Sequence, residues 1–243
     1  MIPGITCVIP AHSEGAGIRG TILEIDEFVP EGVPFTIFVS EDGSRDNTRS
    51  EVLEAGKLTK NSTVILASPA DRLGYSKAVQ RGILECNTEL ICFMDADGQY
   101  DPRDISRLLE SMNDSGIVGS YRNPRADGFN RIVYSKLFGL VYRLFGGPNL
   151  IDPSSPFILA HTSEIQYLGN MEFHLSFGFW WEFQQRIAKQ GLSVKQIPVA
   201  HRVRVAGETQ VYTLGRLPKI IKTHLHGLWK LRKELQNLNS SGI

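Results

Sequence analysis

The 243-residue sequence is poor in cysteine, has no net formal charge and contains no apolar run of 18 residues. Cys7, Cys86 and Cys92 form no C-x-x-C pair, and two of them lie in apolar runs, so we expect reduced thiols in a cytoplasmic protein. The balanced charge excludes a global attraction to nucleic acid, and we expect no such partner. No basic stretch followed by an apolar run opens the sequence, so we expect neither a signal peptide nor a spanning helix, and any membrane role is peripheral.

Short apolar runs alternate along the sequence with longer segments of helical period, which favours βαβ units and a mostly parallel sheet. With 42% hydrophobic residues, the chain is long enough to bury the core of one large α/β domain. The expected strands are 5–10, 35–40, 64–67, 90–94 and 116–120, and the expected helices are 18–28, 47–55, 76–84 and 105–112. Polar segments follow three of these strands, and in open parallel sheets ligands bind beyond the carboxyl ends of the strands. We therefore expect a ligand-binding crevice there.

Two carboxylates one residue apart follow the apolar run 90–93. Side chains at positions i and i+2 of an extended segment point the same way, so Asp95 and Asp97 can face one cation, and Gln99 continues the row. Carboxylate and amide oxygens are ligands for hard divalent cations. The pattern favours a metal site that handles a diphosphate, and a strand that merely ends in an acidic turn is the structural alternative.

Four motifs in this order resemble the family 2 glycosyltransferases of the A-type (GT-A) fold. They are VIPAHSE at 8–14, EDGSRDNT at 41–48, GYSKA at 74–78 and DADGQ at 95–99. The second half is most similar to the dolichol-phosphate mannose synthases and related polyprenyl-phosphate glycosyltransferases. The matching segments there are GSYR at 119–122, Arg131 with Ser135, DPSSPF at 152–157 and RVRVAGET at 202–209. The resemblance covers roughly 5–211, nearly the whole chain.

The resemblance implies an α/β, Rossmann-like GT-A domain at 1–212, with a mostly parallel sheet flanked by helices. From 213 to 236, leucine and isoleucine recur at helical spacing among lysines and arginines, which predicts a basic amphipathic C-terminal helix. The segment 237–243 is rich in Ser and Asn, and we expect a frayed tail there. The basic amphipathic helix at 213–236 can lie on an anionic membrane surface on the cytosolic face. Packing on its own domain, on a partner subunit or on a membrane subunit is the alternative.

On the donor side, the resemblance implies that the loops after the first two strands hold a GDP- or UDP-sugar. The implied donor-binding residues are Pro10, Ala11, Glu14, Glu41, Asp42, Lys77, Asp95, Ala96 and Asp97. Asp95, Asp97 and Gln99 are the implied ligands of Mg²⁺ or Mn²⁺, which neutralises the leaving diphosphate, and Asp97 is counted as catalytic. The segment 42–46 also has the composition of a turn, in which Ser44 or Asp46 can cap the following helix.

On the acceptor side, the resemblance implies that Arg122, Arg131 and Arg204, with Ser135, bind the phosphate of a polyprenyl phosphate. The rigid fork of donors on arginine suits phosphate oxygens. A phosphate is already ionised at neutral pH, so its oxygen can attack the anomeric carbon without a base and invert it. If the acceptor is instead a hydroxyl of a glycan or small molecule, a carboxylate must take its proton, and Glu182 or Asp152 is the candidate. A structural salt bridge is the alternative role for Glu182, which lies among aromatic residues.

Five residues at four sites depart from the family pattern. Glu41 replaces the usual aspartate, His12-Ser13 replaces an aromatic-Asn pair, Pro156 replaces a glycine and Gln210 replaces a lysine. These departures leave open a nucleotide-sugar-binding subunit without turnover, whereas the intact row at 95, 97 and 99 favours an enzyme. A sugar nucleotidyltransferase is disfavoured, because no Gly-rich loop follows the first strand. The sequence therefore predicts a metal-dependent hexosyltransferase and does not identify its sugar.

Overall fold

The computed structural model describes residues 1–114, 116–124, 129–175, 178–203 and 217–240, and a seven-stranded sheet lies at its centre. The strands are β1 (Ile2–Ala11), β2 (Phe35–Glu41), β3 (Thr63–Ala67), β4 (Thr88–Phe93), β5 (Ile117–Arg122), β6 (Ile158–His161) and β7 (Val194–Val199). Their order across the sheet is β3-β2-β1-β4-β6-β5-β7. Only β6 runs against its neighbours in this described sheet, so the predicted mostly parallel sheet is confirmed.

Helices cover both faces of the sheet. They are α1 (Ile18–Glu27), α2 (Thr48–Gly56), α3 (Tyr75–Glu85), α4 (Asp104–Glu110), α5 (Phe129–Leu144), α6 (Thr162–Ile165), α7 (Phe179–Lys189) and α8 (Leu217–Ser240). Two apolar clusters fill the faces: one includes Ile18, Ile22 and Ile25 of α1, and the other includes Phe183 and Ile187 of α7. The sheet is therefore buried on both sides, as a parallel sheet must be.

The expected strands and helices of the first half all occur, with ends that differ by a few residues. The sequence patterns missed β6 and β7, which flank β5 in the sheet. β6 has only four residues, and β7 is a partly exposed edge strand that contains Pro198, so neither carries a strong strand pattern. The three cysteines are free and buried.

The C-terminal helix α8 begins at Leu217 and ends at Ser240, whereas the sequence pattern placed it at 213–236. Positions 213–216 lie outside the described residues, and the helix continues through four residues that we expected to be frayed. Asn and Ser are tolerated in a last helical turn, where composition marks the boundary poorly. Within the described part of the chain, no helix combines the length and apolar character needed to cross a membrane.

Gly82 allows α3 to lie directly on β1. A Cβ atom at this position would lie 2.2 Å from Cγ1 of Val8. We expect Gly82→Ala to lower the free energy of unfolding by about 1–3 kcal/mol, since the helix must shift away from the strand. Gly20 in α1 has no neighbour within 4 Å of its Cβ direction, so Gly20→Ala is the matched control and should stabilise by up to about 1 kcal/mol. Urea unfolding of both variants checks this, and equal stability would contradict the close approach.

Candidate active site

The carboxyl ends of three neighbouring strands, β2, β1 and β4, lie at the edge of the sheet where the sequence predicts the ligand-binding crevice. The predicted donor-binding residues Pro10 and Ala11 are the last two residues of β1, and both are buried. The Ala11 carbonyl accepts a hydrogen bond from the N–H of Asp42 at 2.8 Å. The carbonyl of Ala96, beyond β4, accepts from Oγ1 of Thr21 at 3.1 Å. The segments after β1 and β2 therefore meet at this edge, and the segment after β4 contacts α1.

The loop after β1 is bound along its backbone by side chains that follow β2. The N–H groups of three consecutive residues donate as follows: Ser13 to Oγ of Ser44 at 2.9 Å, Glu14 to Oγ1 of Thr48 at 3.0 Å, and Gly15 to Oδ2 of Asp46 at 3.1 Å. Asp46 also accepts from the N–H of Thr48, the first residue of α2, at 3.1 Å, while Asn47 occupies the N-cap position itself. The two loops are thus held as one unit before any ligand binds.

Glu41 is fully buried at the end of β2, and its carboxylate bonds to the protein itself. It accepts hydrogen bonds from the Ser44 N–H, from Oγ of Ser68 and, at 2.8 Å, from Nε of Arg49. Burial opposes ionisation, but these hydrogen bonds outweigh it and lower the pKa of Glu41 to about 2. The longer side chain of glutamate therefore allows the carboxylate to reach from the end of β2 to Ser68, in the segment after β3. Direct contact of Glu41 with the donor stays a prediction.

Asp42 holds the start of α3 against the end of β2. Its side chain is 2% exposed and accepts from the N–H of Leu73 at 2.6 Å and from the N–H of Gly74 at 2.9 and 3.0 Å. Gly43 permits this contact, because its φ is +66° and a Cβ there would lie 2.8 Å from the backbone N of Arg72. The predicted donor ligand Lys77 lies exposed in the first turn of α3, beside this junction.

The predicted metal ligands lie in a turn, which corrects the extended segment inferred from the sequence. Strand β4 ends at Phe93, and Gly98 has φ +70°, which reverses the chain. Asp97 stabilises the turn by accepting the Gln99 N–H at 3.1 Å. Burial still alternates: Asp95, Asp97 and Gln99 are half-buried, while the residues between them are buried. The three predicted ligands are therefore the accessible members of this loop.

Among the described residues, no three His, Cys, Asp or Glu side chains gather into a complete metal site. Mg²⁺ that binds together with a nucleotide usually takes one or two carboxylates and completes its shell with phosphate oxygens and water. Two partly exposed carboxylates beside a crevice fit that chemistry. The side chain of Gln99 donates from Nε2 to the Arg202 carbonyl at 2.9 Å, so it also joins the loop to the segment after β7.

Arg202 fastens the metal loop to the rest of the domain. Its N–H donates to the Gln99 carbonyl at 2.8 Å, and its guanidinium forms ion pairs with Asp101 at 2.7 Å and Glu24 at 2.6 Å. No role could be assigned to Arg202 from sequence, because its partners are far away in the chain. Arg204, the predicted acceptor-phosphate ligand, lies outside the described residues, two positions after this contact with the metal loop.

Arg122 and Asp152, to which the sequence assigned separate roles, form a buried bidentate pair. Nε of Arg122 lies 2.7 Å from Oδ2 of Asp152, and Nη2 lies 2.9 Å from Oδ1. Asp152 also accepts from Oγ of Ser154 at 2.7 Å and from the Arg122 N–H at 3.4 Å. Four accepted hydrogen bonds use the lone-pair directions of a carboxylate. The geometry therefore disfavours Asp152 as a base and gives it the role of orienting Arg122.

The acceptor-side loop also contacts the metal loop. Oγ of Ser155 lies 2.6 Å from Oγ of Ser120 on β5 and 3.2 Å from the hydroxyl of Tyr100. Arg131 and Ser135 lie four residues apart on α5, hence on one helix face, with Ser135 half-buried and the Arg131 side chain outside the described part of the structure.

Glu182 is the centre of a buried ionic network, which favours the salt-bridge alternative over the role of a base. One carboxylate oxygen accepts the N–H groups of His174 and Leu175 at 2.7 and 2.8 Å, and the other accepts Nε and Nη2 of Arg186 at 2.9 and 2.7 Å. Arg186 continues to Glu234 of α8 at 2.8 Å. Burial raises the pKa of Glu182, and the Arg186 charge opposes that rise. With no exposed surface and four accepted bonds, Glu182 has no acceptor site left for a substrate hydroxyl.

Tyr75, the first residue of α3, contacts the metal loop and was not assigned from the sequence. Its hydroxyl donates to Oδ1 of Asp95 at 3.2 Å and accepts from Nε1 of Trp180 at 2.8 Å. The available signal was its place in the segment GYSKA, directly after Gly74, whose N–H binds Asp42.

Solved structures share this architecture. Glucosyl-3-phosphoglycerate synthase from Mycobacterium tuberculosis, in complex with Mn²⁺, UDP and glucosyl-3-phosphoglycerate, matches with a TM-score of 0.68 and 19% identity, over 93% of this chain and 80% of that chain. The complex of the same enzyme with Mn²⁺, UDP-glucose and phosphoglyceric acid matches with a TM-score of 0.66 and 21% identity, over the same shares. The predicted GT-A fold is confirmed.

Among curated proteins, the undecaprenyl-phosphate 4-deoxy-4-formamido-L-arabinose transferase of Pseudomonas aeruginosa strain LESB58 is 29% identical over 150 residues. The match covers 61% of this chain and 44% of the relative, so this chain spans less than half of the relative's length. The model of the family described as "Glycosyl transferase family 2" matches residues 6–167, more than half of the chain. The paired carboxylates at the strand ends agree with this match: the chain belongs to glycosyl transferase family 2.

Proposed function

We propose that this glycosyltransferase moves a hexose from a nucleoside-diphosphate sugar to a polyprenyl phosphate, with inversion and with a divalent cation. The choice of a phosphate acceptor rests on the hydrogen bonds of the two candidate bases. Glu182 and Asp152 each accept four hydrogen bonds from the protein, so neither is available to take a proton from a hydroxyl. A phosphate acceptor needs no base. The curated relative, which is named for undecaprenyl phosphate, supports the same choice.

The donor would bind between the loops that follow β1, β2 and β4. These loops are already joined by hydrogen bonds among the segments 12–15, 42–48 and 72–74, so their positions are set before the donor arrives. Asp95 and Asp97 would hold Mg²⁺ or Mn²⁺ against the diphosphate, and the bound cation supplies charge neutralisation of the leaving group. A preformed, charged site of this kind stabilises the transition state without reorganisation.

On the acceptor side, an oxygen of the lipid phosphate forms the new bond to the anomeric carbon as the bond to the diphosphate breaks. The nucleoside diphosphate leaves with the electron pair of the broken bond, and no proton is transferred. Arg122 is oriented for this task by Asp152, and Arg131, Ser135 and Arg204 are the further proposed ligands of the acceptor phosphate. Arginine remains charged throughout, so it can hold the phosphate beside the diphosphate without loss of charge.

The test is release of nucleoside diphosphate from a panel of UDP- and GDP-sugars with Mg²⁺ or Mn²⁺, with and without a short-chain polyprenyl phosphate. We expect one donor to give release that requires both the cation and the lipid phosphate. Release with a glycan or small-molecule hydroxyl, and not with lipid phosphate, would replace the proposed acceptor. Tight donor binding with no release under any condition would favour a nucleotide-sugar-binding subunit.

A lipid acceptor requires a membrane face, and we propose that the protein meets it with α5 and α8. These helices lie side by side: the rings of Phe138 and His224 are 4.8 Å apart, and the Arg232 guanidinium lies 6.0 Å from the Phe145 ring. Among the side chains that the structure describes, each helix exposes three large apolar ones: Leu137, Leu140 and Leu144 on α5, and Ile221, Leu225 and Trp229 on α8. An exposed apolar patch of this kind marks an interaction site.

The charge of these two helices selects an anionic lipid surface over a neutral partner. Together they contain eight basic residues and one acidic residue, although the whole chain is balanced at 26 of each. The one acid, Glu234, is paired with Arg186. Each basic residue near an anionic surface contributes about 1 kcal/mol, and tryptophan and leucine enter the headgroup region. The same α5 carries Arg131 and Ser135, so the surface would be continuous with the proposed acceptor site.

Flotation with vesicles checks this location. We expect the protein to float with vesicles that contain about one third phosphatidylglycerol, to dissociate at high salt, and to stay behind with pure phosphatidylcholine. Leu140→Gln with Leu225→Gln should lower the bound fraction about tenfold, because two apolar anchors are lost. Leu53→Gln on α2, where leucine is also exposed, is the matched control and should bind as the wild type does. Equal binding of all three would contradict the surface.

A further inference from the structure

We infer that Tyr75, fixed by Trp180, is a positioning residue that orients the Asp95 carboxylate for the divalent cation. This inference rests on the proposed function, in which Asp95 binds the cation. The two predicted carboxylate ligands differ in their support: Asp97 accepts a backbone N–H of its own turn, whereas Asp95 accepts a hydroxyl from another helix. Asp95 therefore takes part of its support from α3.

The direction of the hydroxyl proton follows from the chemistry of the partners. A tyrosine hydroxyl has one proton to donate, and an indole Nε1–H can only donate. Because Trp180 donates to the Tyr75 oxygen at 2.8 Å, it occupies an acceptor position of that oxygen. Asp95, a carboxylate, can only accept, so the single tyrosine proton is directed to its Oδ1 at 3.2 Å. Trp180 thus determines the direction in which Tyr75 donates.

Trp180 is itself held rigidly by the core. It is 6% exposed, and its ring makes edge contacts with Phe93, Phe179 and Phe183 at 5.1 to 5.2 Å between centroids. Phe93 is the last residue of β4, immediately before the metal loop. Trp180 therefore contacts both the end of β4, which precedes Asp95, and Tyr75, which binds the Asp95 carboxylate. The strand positions the backbone of Asp95, and Tyr75 contacts its side chain.

The start of α3 also joins the two acidic loops of the crevice. Gly74 donates its N–H to Asp42 beyond β2, and the next residue, Tyr75, donates its hydroxyl to Asp95 beyond β4. A change in the orientation of Asp95 would therefore follow from a shift of α3. Tyr75 is 38% exposed, so its ring is accessible at the crevice while its hydroxyl is engaged.

The test measures Mn²⁺ binding to the full chain in the presence of UDP and, separately, GDP, by the electron paramagnetic resonance signal of free Mn²⁺. Tyr75→Phe keeps the ring and removes the hydroxyl, and we expect the Mn²⁺ dissociation constant to rise about three- to tenfold, as expected for a lost hydrogen bond to a charged group. Nucleotide binding without metal should not change. Trp180→Phe should give a smaller rise, and no further rise when Tyr75 is already phenylalanine.

Tyr167→Phe is the matched control, because the Tyr167 hydroxyl is buried without a hydrogen-bond partner in the described structure, and its Mn²⁺ affinity should equal that of the wild type. Wild-type affinity in Tyr75→Phe, with Asp95→Asn weakened, would overturn the inference and leave the proposed metal site intact. If Asp95→Asn also binds Mn²⁺ as the wild type does, both fail. Thermal unfolding of each variant separates lost folding from lost binding.

Discussion

Asp97→Asn is expected to lower the rate of sugar transfer about 10³-fold, with little change in stability. The substitution removes one anionic ligand of the cation that would neutralise the leaving diphosphate, and removal of one preorganised electrostatic group commonly costs 10² to 10³ in rate. The fold should survive, because asparagine retains the Oδ1 that accepts the Gln99 N–H. The measurement is release of nucleoside diphosphate at saturating donor and acceptor, together with thermal unfolding.

Asp71→Asn is the control for that substitution, because Asp71 is exposed before α3 and its loss should leave the rate unchanged. Retention of a tenth or more of the wild-type rate in Asp97→Asn would contradict the role of Asp97. A rate loss accompanied by a large drop in stability would show instead that the turn had collapsed.

Glu182→Gln is expected to lower the free energy of unfolding by about 3–5 kcal/mol, because it leaves the guanidinium of Arg186 buried with one carboxylate fewer. The loss is large against a total stability of about 5–15 kcal/mol. The rate of transfer per folded molecule should stay within about threefold, since Glu182 has no acceptor site for substrate. Urea unfolding and rates normalised to the folded fraction give the two quantities.

The opposite outcome would identify Glu182 as a base. In that case stability would change little, while the rate per folded molecule would fall by about 10² or more. Glu172→Gln serves as the control, because Glu172 is exposed just before the network and contributes only its carbonyl to Arg186. Its stability should lie within about 0.5 kcal/mol of the wild type.

The parts of the fold that the sequence predicted are those with local signals. Apolar runs and helical periodicity gave the strands and helices of the first half, and the spacing of Asp95 and Asp97 gave the exposed row of the metal loop. The pattern did not show that this row lies in a turn, because a φ of +70° at Gly98 alters the backbone without altering the alternation of polar residues.

The parts of the site that the sequence missed depend on partners far apart in the chain. The spacing of Glu182 and Arg186 is a readable helical pair, but Arg186 also binds Glu234, 48 residues later. Arg122 was assigned to the acceptor phosphate and Asp152 to a base, and the sequence did not show that they pair across 30 residues. Tyr75 and Trp180 are 105 residues apart. Burial of a charged or hydrogen-bonding group predicts that a partner exists, and only the fold identifies it.

The identity of the acceptor atom is the central claim, and the structure of the product tests it most directly. After incubation with the active donor and a polyprenyl phosphate, the product is isolated and its glycosidic linkage is determined by mass spectrometry and by ³¹P and ¹H nuclear magnetic resonance. We predict a lipid-linked sugar phosphodiester whose anomeric configuration is inverted relative to the donor. A sugar joined to a hydroxyl oxygen, or a phosphodiester with retained configuration, would contradict the account.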